Sequence, residues 1–315
     1  MNTENSPDLH IQLAPRHPKG LVLSNPVMVA AGTFGYGMEY ADIVDIQKLG
    51  AIVCKGTTLK ARKGNPQPRL IETRSGLLNS VGLENVGVDA LVKEKAPIWA
   101  NWKVPVIVNI AGGTTEEYVA VAERLEGVAG ISGIELNISC PNVSAGGMEF
   151  GIDPTLAARV TSAVKRVSSL PIMVKLSPNV TDIKEIALAV EEAGADAISL
   201  INTVKGMVID IDERKPCLGN LTGGLSGPAI KPIALYMVYR TAQVAHIPVI
   251  GCGGIASARD ALEFIMAGAT AVQIGTANLT NPQISLAVLK GIEEFMREKK
   301  IQSLAELIGV ALSDS

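Results

Sequence analysis

The sequence predicts an α/β fold in which eight parallel strands, each followed by a helix, close into a (β/α)8 barrel. Three observations lead to this prediction. Eight short apolar runs recur along the 315 residues, and helical segments lie between them. Nearly all of the runs are continuously apolar, as parallel strands covered on both faces require. Eight evenly built units favour closure over the alternative, an open doubly wound sheet. We expect a single domain over residues 1–315.

Each predicted strand is a short apolar run, and most of the runs end at a glycine or a polar residue. In chain order the strands are Pro26–Ala31, Ala51–Gly56, Val104–Ala111, Gly133–Ser139, Pro171–Ser177, Ala197–Thr203, Pro248–Gly251 and Ala271–Gly275. The helices between them have recognisable termini, since Asp153 and Ser257 are N-caps and Gly194 and Gly268 follow helix ends. The predicted helices are Thr115–Glu126, Pro154–Ser168, Thr181–Ala193, Lys231–Ala245 and Ser257–Ala267.

Two connections are longer than loops in compact domains usually are. The first, Thr57–Lys103, contains an irregular part, Thr57–Gly87, and then a helix near Val88–Trp102. The second is Val204–Pro228, which is rich in glycine. Both follow the carboxyl ends of strands, the face at which barrel active sites lie. We therefore expect insertions at the carboxyl-terminal face that are functional or interfacial.

Composition and charge exclude several classes of function. The net charge is -3 and only 3% of the residues are aromatic, so no basic surface or stacking platform for nucleic acid is expected. No run of about 20 apolar residues predicts a membrane span, and the polar N-terminus has no signal-peptide pattern. The four cysteines are scattered without C-x-x-C spacing. That usage predicts a cytoplasmic chain without zinc, an iron–sulfur cluster or another metal.

Cys140 lies in the most informative motif, Asn137-Ile-Ser-Cys-Pro-Asn142. A structural cysteine is usually buried inside an element among aliphatic side chains. Cys140 instead follows a strand and stands between two amides, where a proton-transfer group is expected. For the Cys-Pro pair alone, a structural thiol is an equal alternative. No histidine follows the carboxyl end of a strand, so none competes as general base. Cys54 is expected to be a core thiol, and Cys252 a small filler between glycines.

Polar side chains end five of the predicted strands, where another aliphatic residue would otherwise serve. A barrel brings the carboxyl ends of its strands together, so these side chains should face one shared pocket. Two of them are lysines, which are unfavourable when buried unless an anion neutralises them. We therefore expect an anionic ligand rich in hydrogen-bond acceptors. The side chains are Lys55, Asn109, Asn137, Lys175, Asn202 and Thr203.

The last two predicted strands end in glycine instead. Strand seven ends Gly251-Cys-Gly-Gly254, and strand eight ends Gly275-Thr276. The loops after these two strands commonly bind phosphate in barrels, and glycine lets backbone amides approach it closely. Gly251–Ala256 also loosely matches a dinucleotide-binding pattern, but the acidic residue expected about 20 positions further on is absent. We expect a phosphate here and no NAD site on this chain.

Together these motifs resemble the dihydroorotate dehydrogenases, FMN-dependent TIM barrels that make orotate for pyrimidine (UMP) synthesis. The resemblance covers residues 20–295. The chain resembles the soluble class 1 of this family in having a cysteine, Cys140, at the position of the base and in lacking an N-terminal membrane helix. It departs from the family at Ala31, where a serine often stands beside the flavin. The motifs are Lys55-Gly-Thr-Thr58, Asn79-Ser-Val-Gly-Leu-Glu-Asn85, Asn137–Asn142, Val174–Pro178, Ile201–Thr203, Gly251–Gly254 and Gly275–Thr276.

Within class 1, Gly32–Gly37 and Thr222–Pro232 resemble the type 1B catalytic subunit. The resemblance implies one FMN per chain and a homodimer of this chain. It also implies a partner subunit with FAD and a [2Fe–2S] cluster, which passes electrons to NAD⁺ within a heterotetramer. The alternatives are a fumarate-dependent type 1A enzyme, another FMN barrel acting on a different pyrimidine, a non-redox synthase, and a non-catalytic ligand-binding barrel. Lys55 favours a substrate with a carboxylate.

The resemblance also implies a role for each site residue. Cys140 acts as general base on C5 of dihydroorotate while C6 gives hydride to FMN, and Val143–Gly151 closes over Cys140 as a lid. Substrate is bound by Lys55, Asn79, Ser80, Val81, Gly82, Leu83, Asn137, Asn142, Asn202 and Thr203. FMN is bound by Ala31, Lys55, Gly56, Asn109, Asn137, Lys175, Ile201, Gly227, Gly253, Gly254, Gly275 and Thr276.

Overall fold

The structure is a computed structural model that describes residues 6–139 and 150–312. The strands in these residues are short, and most belong to one barrel. In chain order they are β1 (Ile11–Gln12), β2 (Val22–Leu23), β3 (Val27–Val29), β4 (Ala51–Val53), β5 (Leu70–Thr73), β6 (Gly76–Asn79), β7 (Val106–Ile110), β8 (Gly133–Asn137), β9 (Ile172–Lys175), β10 (Ala197–Leu200), β11 (Val204–Gly206), β12 (Ile209–Asp210), β13 (Lys215–Pro216), β14 (Gly223–Ser226), β15 (Val249–Cys252) and β16 (Ala271–Ile274).

The α-helices of the same residues lie mainly between barrel strands. They are α1 (Val88–Ala90), α2 (Ala96–Trp99), α3 (Thr115–Leu125), α4 (Pro154–Val167), α5 (Ile183–Glu192), α6 (Lys231–Ala242), α7 (Ala258–Met266), α8 (Ala277–Thr280) and α9 (Ile284–Lys299). A π-helical stretch, Leu91–Lys95, and 3-10 turns at Met38–Tyr40, Ile46–Lys48, Phe150–Ile152, Pro228–Ile230 and Leu304–Glu306 complete the helical structure. None of the helices in the described residues is both long and apolar enough to cross a membrane.

Eight strands form a closed parallel barrel in the order β10-β15-β16-β3-β4-β7-β8-β9. These are the strands that the sequence predicts, and the (β/α)8 barrel is confirmed. Every residue of the barrel strands is buried except the half-buried Asn137 at the end of β8. One side of each strand packs against helices and the other fills the barrel, which is why the runs are continuously apolar.

The helices begin where their capping residues predict. Asp153 accepts a hydrogen bond from the backbone N–H of Leu156 at 2.9 Å, and Ser257 accepts one from the N–H of Asp260 at 3.2 Å. Each cap satisfies one of the N–H groups that the first turn of a helix leaves unpaired. The helices α3 to α7 differ from the predicted helices only at their termini. The polar residues that end the preceding strands therefore lie at the predicted strand–helix connections.

A short hairpin covers the amino-terminal end of the barrel. Strands β1 and β2 pair antiparallel, with Ile11 opposite Leu23, and both side chains are buried. Lys19 lies in the turn between them, and its Nζ donates a hydrogen bond to the Oγ of Ser169, which shortly precedes β9, at 2.8 Å. The hairpin therefore closes this end with apolar side chains, and the carboxyl ends of the strands are left for a site.

The two long insertions pair with each other over the carboxyl-terminal end of the barrel. Hairpin β5–β6 from the first insertion and strands β11 and β14 from the second form a four-stranded sheet in the order β11-β14-β6-β5. The prediction that Thr57–Gly87 is irregular is therefore wrong over the hairpin. Its partner β14 begins with two glycines, which have little strand propensity. The pairing therefore depends on bringing together segments far apart in the chain.

The predicted helix near Val88–Trp102 is present in three parts rather than one. Helix α1 is followed by the π-helical stretch Leu91–Lys95 and then by α2. Pro97 stands in the first turn of α2 and has no N–H to give to the carbonyl of Lys93, which interrupts the regular hydrogen-bond ladder.

Candidate active site

A cavity of about 360 Å³ lies at the carboxyl ends of the barrel strands, under the sheet made by the two insertions. Its size suits a small-molecule site. The polar side chains that end the barrel strands all contribute to its wall, as expected for strands of one barrel. They are Lys55, Asn109, Asn137, Lys175, Asn202 and Thr203.

Lys55 brings a positive charge to the cavity wall. It follows β4, its side chain is half-buried, and its backbone N–H donates to the carbonyl of Gly35 at 2.9 Å. Among residues 6–139 and 150–312, no carboxylate forms an ion pair with its ammonium group. A partly buried and unpaired ammonium favours a bound anion.

Asn137 and Asn202 form a hydrogen-bonded cluster at the carboxyl ends of β8 and β10, the two barrel strands that flank β9. Asn202 Nδ2 donates to Asn137 Oδ1 at 3.2 Å and to Ser139 Oγ at 2.7 Å. The carbonyl of Asn137 also accepts from the hydroxyl of Tyr118 at 2.7 Å. These contacts hold both amides in fixed orientations at the cavity, where amides can bind a ring with both donors and acceptors. Ser139, which the sequence reasoning did not single out, is part of this cluster.

The segment that follows β6 forms the cavity wall on the side of the insertions. Asn79, Val81, Gly82 and Leu83 line the cavity. Leu83 has a φ of 56°, a left-handed conformation that is uncommon for leucine and occurs at functional sites. Asn85 supports it, because Asn85 Nδ2 donates to the Leu83 carbonyl at 2.7 Å.

Ser80 does not line the cavity. Its hydroxyl is buried and accepts a hydrogen bond from Asn65 Nδ2 at 3.0 Å. Its neighbours Asn79 and Val81 do line the cavity, and side chains alternate along an extended chain, so Ser80 faces the other way.

The glycine-rich ends of the last two strands form another side of the cavity. Gly227, Gly253, Gly254, Gly275 and Thr276 all line it. Gly254 has a φ of 75°, and a Cβ there would lie 2.8 Å from the backbone nitrogen of Lys231 and 2.9 Å from the carbonyl oxygen of Gly227. Only glycine fits at this position, so the backbone itself forms the surface that a ligand would meet.

Asn109 contributes an unpaired acceptor to the wall. Its Nδ2 donates to Glu135 Oε1 at 2.7 Å, whereas its Oδ1 is buried and has no hydrogen-bond partner among the described residues. A Cβ on Gly56, which also lines the cavity, would lie 3.1 Å from that oxygen. A buried acceptor without a partner is uncommon, so a ligand N–H is the expected partner.

Lys175 is buried and hydrogen-bonded. Its Nζ donates to Gln273 Oε1 at 2.8 Å and lies 3.6 Å from Cys252 Sγ. Burial by itself lowers the pKa of this ammonium, but the Cys252 sulfur and the Glu135 carboxylate outweigh burial and raise the pKa above its usual range. Burial raises the pKa of the Cys252 thiol, and the neighbouring Lys175 acts in the opposite direction. Because the pKa of Lys175 is raised, Lys175 is a cation at the cavity.

Comparison with known proteins gives the family. The family model described as dihydroorotate dehydrogenase matches residues 16–296. The chain belongs to the dihydroorotate dehydrogenase family. It is 52% identical over 307 residues to the protein named dihydroorotate dehydrogenase B (NAD(+)), catalytic subunit, of Geotalea uraniireducens (strain Rf4), covering 98% of this chain and 99% of that protein. The resemblance inferred from the sequence motifs is thus confirmed.

Two further relatives carry the same name. The protein of Desulforamulus reducens (strain ATCC BAA-1160 / DSM 100696 / MI-1) is 56% identical over 291 residues, which are 92% of this chain and 96% of that protein. The protein of Desulforudis audaxviator (strain MP104C) is 54% identical over 292 residues, which are 93% of this chain and 95% of that protein. Near-complete coverage on both sides means that the whole barrel, with both insertions, is similar to this branch of the dihydroorotate dehydrogenase family.

Two residues that the sequence assigns to a dihydroorotate dehydrogenase site lie outside the described residues. They are Cys140 and Asn142, and residues 143–149 of the expected lid lie outside as well. Their predicted roles stay predictions. The described residues before this segment, Asn137 and Ser139, belong to the asparagine cluster at the cavity wall.

Besides Ser139, sequence reasoning did not assign Glu135, Gln273 or Cys252 to the site, because these three residues belong to apolar strands. Glu135 and Gln273 are wholly buried within the barrel, and Cys252 lines the cavity. The signal was present for Glu135, since it lies two residues before Asn137 and therefore faces the barrel interior as Asn137 does. Cys252 is more than the expected filler, because its sulfur contacts Lys175.

The remaining thiols and carboxylates do not suggest a metal centre. In the described parts of the chain, no three His, Cys, Asp or Glu side chains lie close enough together to hold a metal ion. Cys54 is wholly buried in the hydrophobic core, as expected, and burial raises the pKa of its thiol to about 12. Cys54 is therefore an inert core thiol at neutral pH.

Proposed function

We propose that this chain oxidises dihydroorotate to orotate, with FMN as its bound cofactor, in pyrimidine biosynthesis. The observation that carries the proposal is the convergence of Lys55 and several fixed amides on one cavity that also contains a second, buried lysine. Dihydroorotate has a carboxylate beside a ring with amide donors and acceptors. An unpaired ammonium next to carboxamides suits that combination of groups.

The cavity fits FMN on three counts. The unpaired Oδ1 of Asn109 offers an acceptor to a ring N–H. The glycine surface of Gly227, Gly253 and Gly254 leaves backbone groups open to a phosphate. Lys175 supplies a buried positive charge that suits a ring on which negative charge develops. When bound, FMN supplies the hydride acceptor that the side chains of the protein lack.

The residues that would hold FMN divide by the part of the cofactor that their chemistry suits. Lys175 and Asn109 suit the polar edge of the ring, and the strand-end glycines suit the phosphate. The full set comprises Ala31, Lys55, Gly56, Asn109, Asn137, Lys175, Ile201, Gly227, Gly253, Gly254, Gly275 and Thr276, all of which line the cavity.

The substrate would be held by residues from the first insertion and from the ends of the barrel strands. Lys55 neutralises the carboxylate of dihydroorotate, and the amides fix the orientation of its ring. The amides of Asn79, Asn137 and Asn202 are themselves anchored by neighbours, so little ordering of these three is needed on binding. The proposed set is Asn79, Asn137, Asn142, Asn202 and Thr203, with the backbone of Val81, Gly82 and Leu83.

Cys140 is the proposed general base, which takes the proton from C5 of dihydroorotate. The support is its place in the chain, three residues after Asn137, together with the chemistry of a thiol. Thiols have a pKa of about 8.5, so a thiolate can form near neutral pH and take up the proton as S–H, whereas amides are not basic at this pH. Closure of residues 143–151 over the base would exclude water from the site.

Electrons would leave this chain through a separate subunit. The relatives are named as catalytic subunits of an NAD(+)-dependent enzyme, and a catalytic subunit implies a partner. We propose that the partner carries FAD and a [2Fe–2S] cluster, that NAD⁺ is the final acceptor, and that a dimer of this chain forms a cytoplasmic heterotetramer with it.

Anaerobic spectroscopy of the purified chain tests the proposal. We expect a yellow protein with one FMN per chain, whose absorbance near 450 nm (about the flavin maximum) bleaches when dihydroorotate is added. Addition of NAD⁺ alone should not restore the colour, whereas NAD⁺ with the co-expressed partner should. A chain that takes up no FMN, or whose FMN is not reduced by dihydroorotate, would refute the proposed activity.

A further inference from the structure

A buried carboxylate lies beneath the cavity, and none of the roles proposed above uses it. Glu135 stands in the middle of β8, and its side chain has no exposure to solvent. An unpaired carboxylate in such a place is strongly destabilising, so its partners must satisfy it. They also indicate its function.

Glu135 accepts hydrogen bonds from three strands. Its Oε1 accepts from Asn109 Nδ2 at 2.7 Å, and its Oε2 accepts from Ser199 Oγ at 2.8 Å and from Gln273 Nε2 at 2.6 Å. All three partners donate, which is the pattern of an ionised carboxylate, because that group only accepts. Strands β7, β10 and β16 are thereby anchored to one negative charge on β8.

Lys175 determines which way Gln273 points. An ammonium group can only donate, so Lys175 Nζ takes Gln273 Oε1 as its acceptor, at 2.8 Å. The NH₂ of Gln273 must then face Glu135, as observed. The hydrogen bonds therefore run in one direction, from Lys175 through Gln273 to Glu135, and they connect the lysine of the cavity to its counterion.

Glu135 determines the orientation of Asn109 in the same way. Because the carboxylate can only accept, Asn109 turns its NH₂ toward Glu135 and its Oδ1 away from it. That oxygen is the buried atom without a partner beside Gly56 at the cavity wall. An acceptor, rather than a donor, therefore faces the ligand at this point.

We propose that Glu135 is a positioning residue of the cofactor site: it fixes Asn109 with its oxygen toward the cofactor and balances the charge of Lys175. The proposal rests on the proposed FMN function. Two effects follow for the bound cofactor. The acceptor favours a ring N–H, and the negative charge beneath the site opposes the addition of electrons to the ring.

Glu135→Gln removes the charge and keeps the shape. In the wild type both carboxylate oxygens of Glu135 accept hydrogen bonds, whereas in the variant one of these two atoms is an NH₂ group that can only donate. Either Asn109 or Gln273 must then turn its own amide or lose its hydrogen bond to position 135. Oxidised FMN should bind about tenfold more weakly, with no loss of affinity for reduced FMN. A tenfold rise in the ratio of the dissociation constants of oxidised and reduced FMN corresponds to a midpoint potential about 30 mV higher for a two-electron couple.

The experiment measures FMN affinity by fluorescence titration of the apoprotein and the midpoint potential by dye equilibration of the reconstituted protein. Ser199→Ala is the matched control, since it removes one donor to the same carboxylate from the same buried layer without changing the charge. We expect the Ser199→Ala potential to match wild type. Equal potentials in Glu135→Gln and wild type, a lower potential in Glu135→Gln, or equal shifts in both variants would overturn the proposal.

A charge exchange provides the rescue test. In Glu135→Gln with Gln273→Glu, Lys175 donates to the new carboxylate, which accepts from the NH₂ at position 135, and the oxygen at position 135 accepts from Asn109. The bond between positions 135 and 273 reverses its direction, and Ser199 Oγ accepts from the NH₂ at position 135 instead of donating to it. Lys175 and Asn109 still donate as they do in the wild type. This variant should fold and bind FMN as wild type does, even if Glu135→Gln alone does not fold. A folded exchange variant with tenfold weaker FMN binding would contradict the proposal.

The readouts separate the inference from the function on which it rests. If wild-type apoprotein takes up no FMN, the proposed function and the role of Glu135 both fall. If wild type binds FMN and is reduced by dihydroorotate while Glu135→Gln leaves affinity and potential unchanged, only the role of Glu135 falls.

Discussion

Asn79 Nδ2 donates a hydrogen bond to the carbonyl oxygen of Gly224 at 3.1 Å, and this bond joins the two insertions beside the cavity. The two residues are also opposite each other in the pairing of β6 with β14. A Cβ on Gly224 would lie 1.9 Å from Thr203 Oγ1, so the glycine lets Thr203 come close. The position of the Asn79 amide therefore depends on both insertions and on the end of β10.

Replacing Asn79 by alanine should weaken substrate binding. The change removes the proposed contact to dihydroorotate and the tether to Gly224, and the loss of a hydrogen bond to a charged or buried group corresponds to about 10- to 100-fold. We expect the KM for dihydroorotate to rise by that factor in steady-state assays. Asn101→Ala, which removes an exposed amide bonded to the carbonyl of Pro97, should leave the KM unchanged. An equal KM in both variants would exclude Asn79 from the substrate site.

Replacing Lys55 by methionine should weaken the binding of substrates that carry a carboxylate. Loss of a charge-assisted contact weakens dihydroorotate binding by about 10- to 100-fold, which the dependence of the FMN reduction rate on dihydroorotate concentration measures under anaerobic conditions. Binding of dihydrouracil, which has no carboxylate, should be unaffected by the change. Lys103→Met is the control, because Lys103 is exposed. A parallel loss for both ligands would show that Lys55 does not bind the carboxylate.

Replacing Cys140 by alanine should separate cofactor binding from chemistry. The variant should retain FMN, while reduction of FMN by dihydroorotate should slow by about 10²–10⁴-fold, the usual contribution of a general base. Anaerobic stopped-flow absorbance measures the rate. Cys217→Ala, at a half-buried thiol that does not line the cavity, should react at the wild-type rate. Normal reduction in Cys140→Ala would remove Cys140 from the mechanism.

Cys54 should make stability fall at alkaline pH. Burial raises the pKa of its thiol from 9.0 to about 12, so between these values the folded chain keeps a proton that the unfolded chain has lost. Stability is therefore lost as pH rises through that window. Between pH 8 and pH 10 the free energy of unfolding should fall by about 1.4 kcal/mol more in wild type than in Cys54→Ala.

Urea unfolding at the two pH values measures this difference. Cys217→Ala is again the control, since it keeps Cys54 and should show the wild-type dependence on pH. An identical dependence in wild type and Cys54→Ala would show that the thiol does not hold its proton in the folded state.

The barrel and the strand-end polar residues of the site could be predicted because their signals are local. A strand buried on both faces must be continuously apolar, so a lysine or asparagine at its end is conspicuous, as Lys55 and Asn109 are. The glycines of the last two strands are equally local, because a φ such as that of Gly254 admits few other residues. Family membership followed from these motifs together.

The hairpin β5–β6 and its sheet could not be predicted in this way. Strand β14 begins with two glycines, and its strand character comes from pairing with β6 across the chain. Ser80 was assigned to the substrate site from the resemblance of the Asn79–Asn85 motif, whereas in the structure its neighbours Asn79 and Val81 line the cavity and Ser80 does not. Which residues of that segment face inward depends on the pairing.

The sequence by itself determined the barrel, the face that carries the site and the charged and amide groups available there, because periodicity and strand ends are properties of neighbouring residues. Only the tertiary structure decided how those groups are oriented. Lys175, Gln273, Glu135 and Asn109 stand on four different strands, and the direction of their hydrogen bonds exists only when the barrel is closed. An ammonium that can only donate and a carboxylate that can only accept then fix every amide between them.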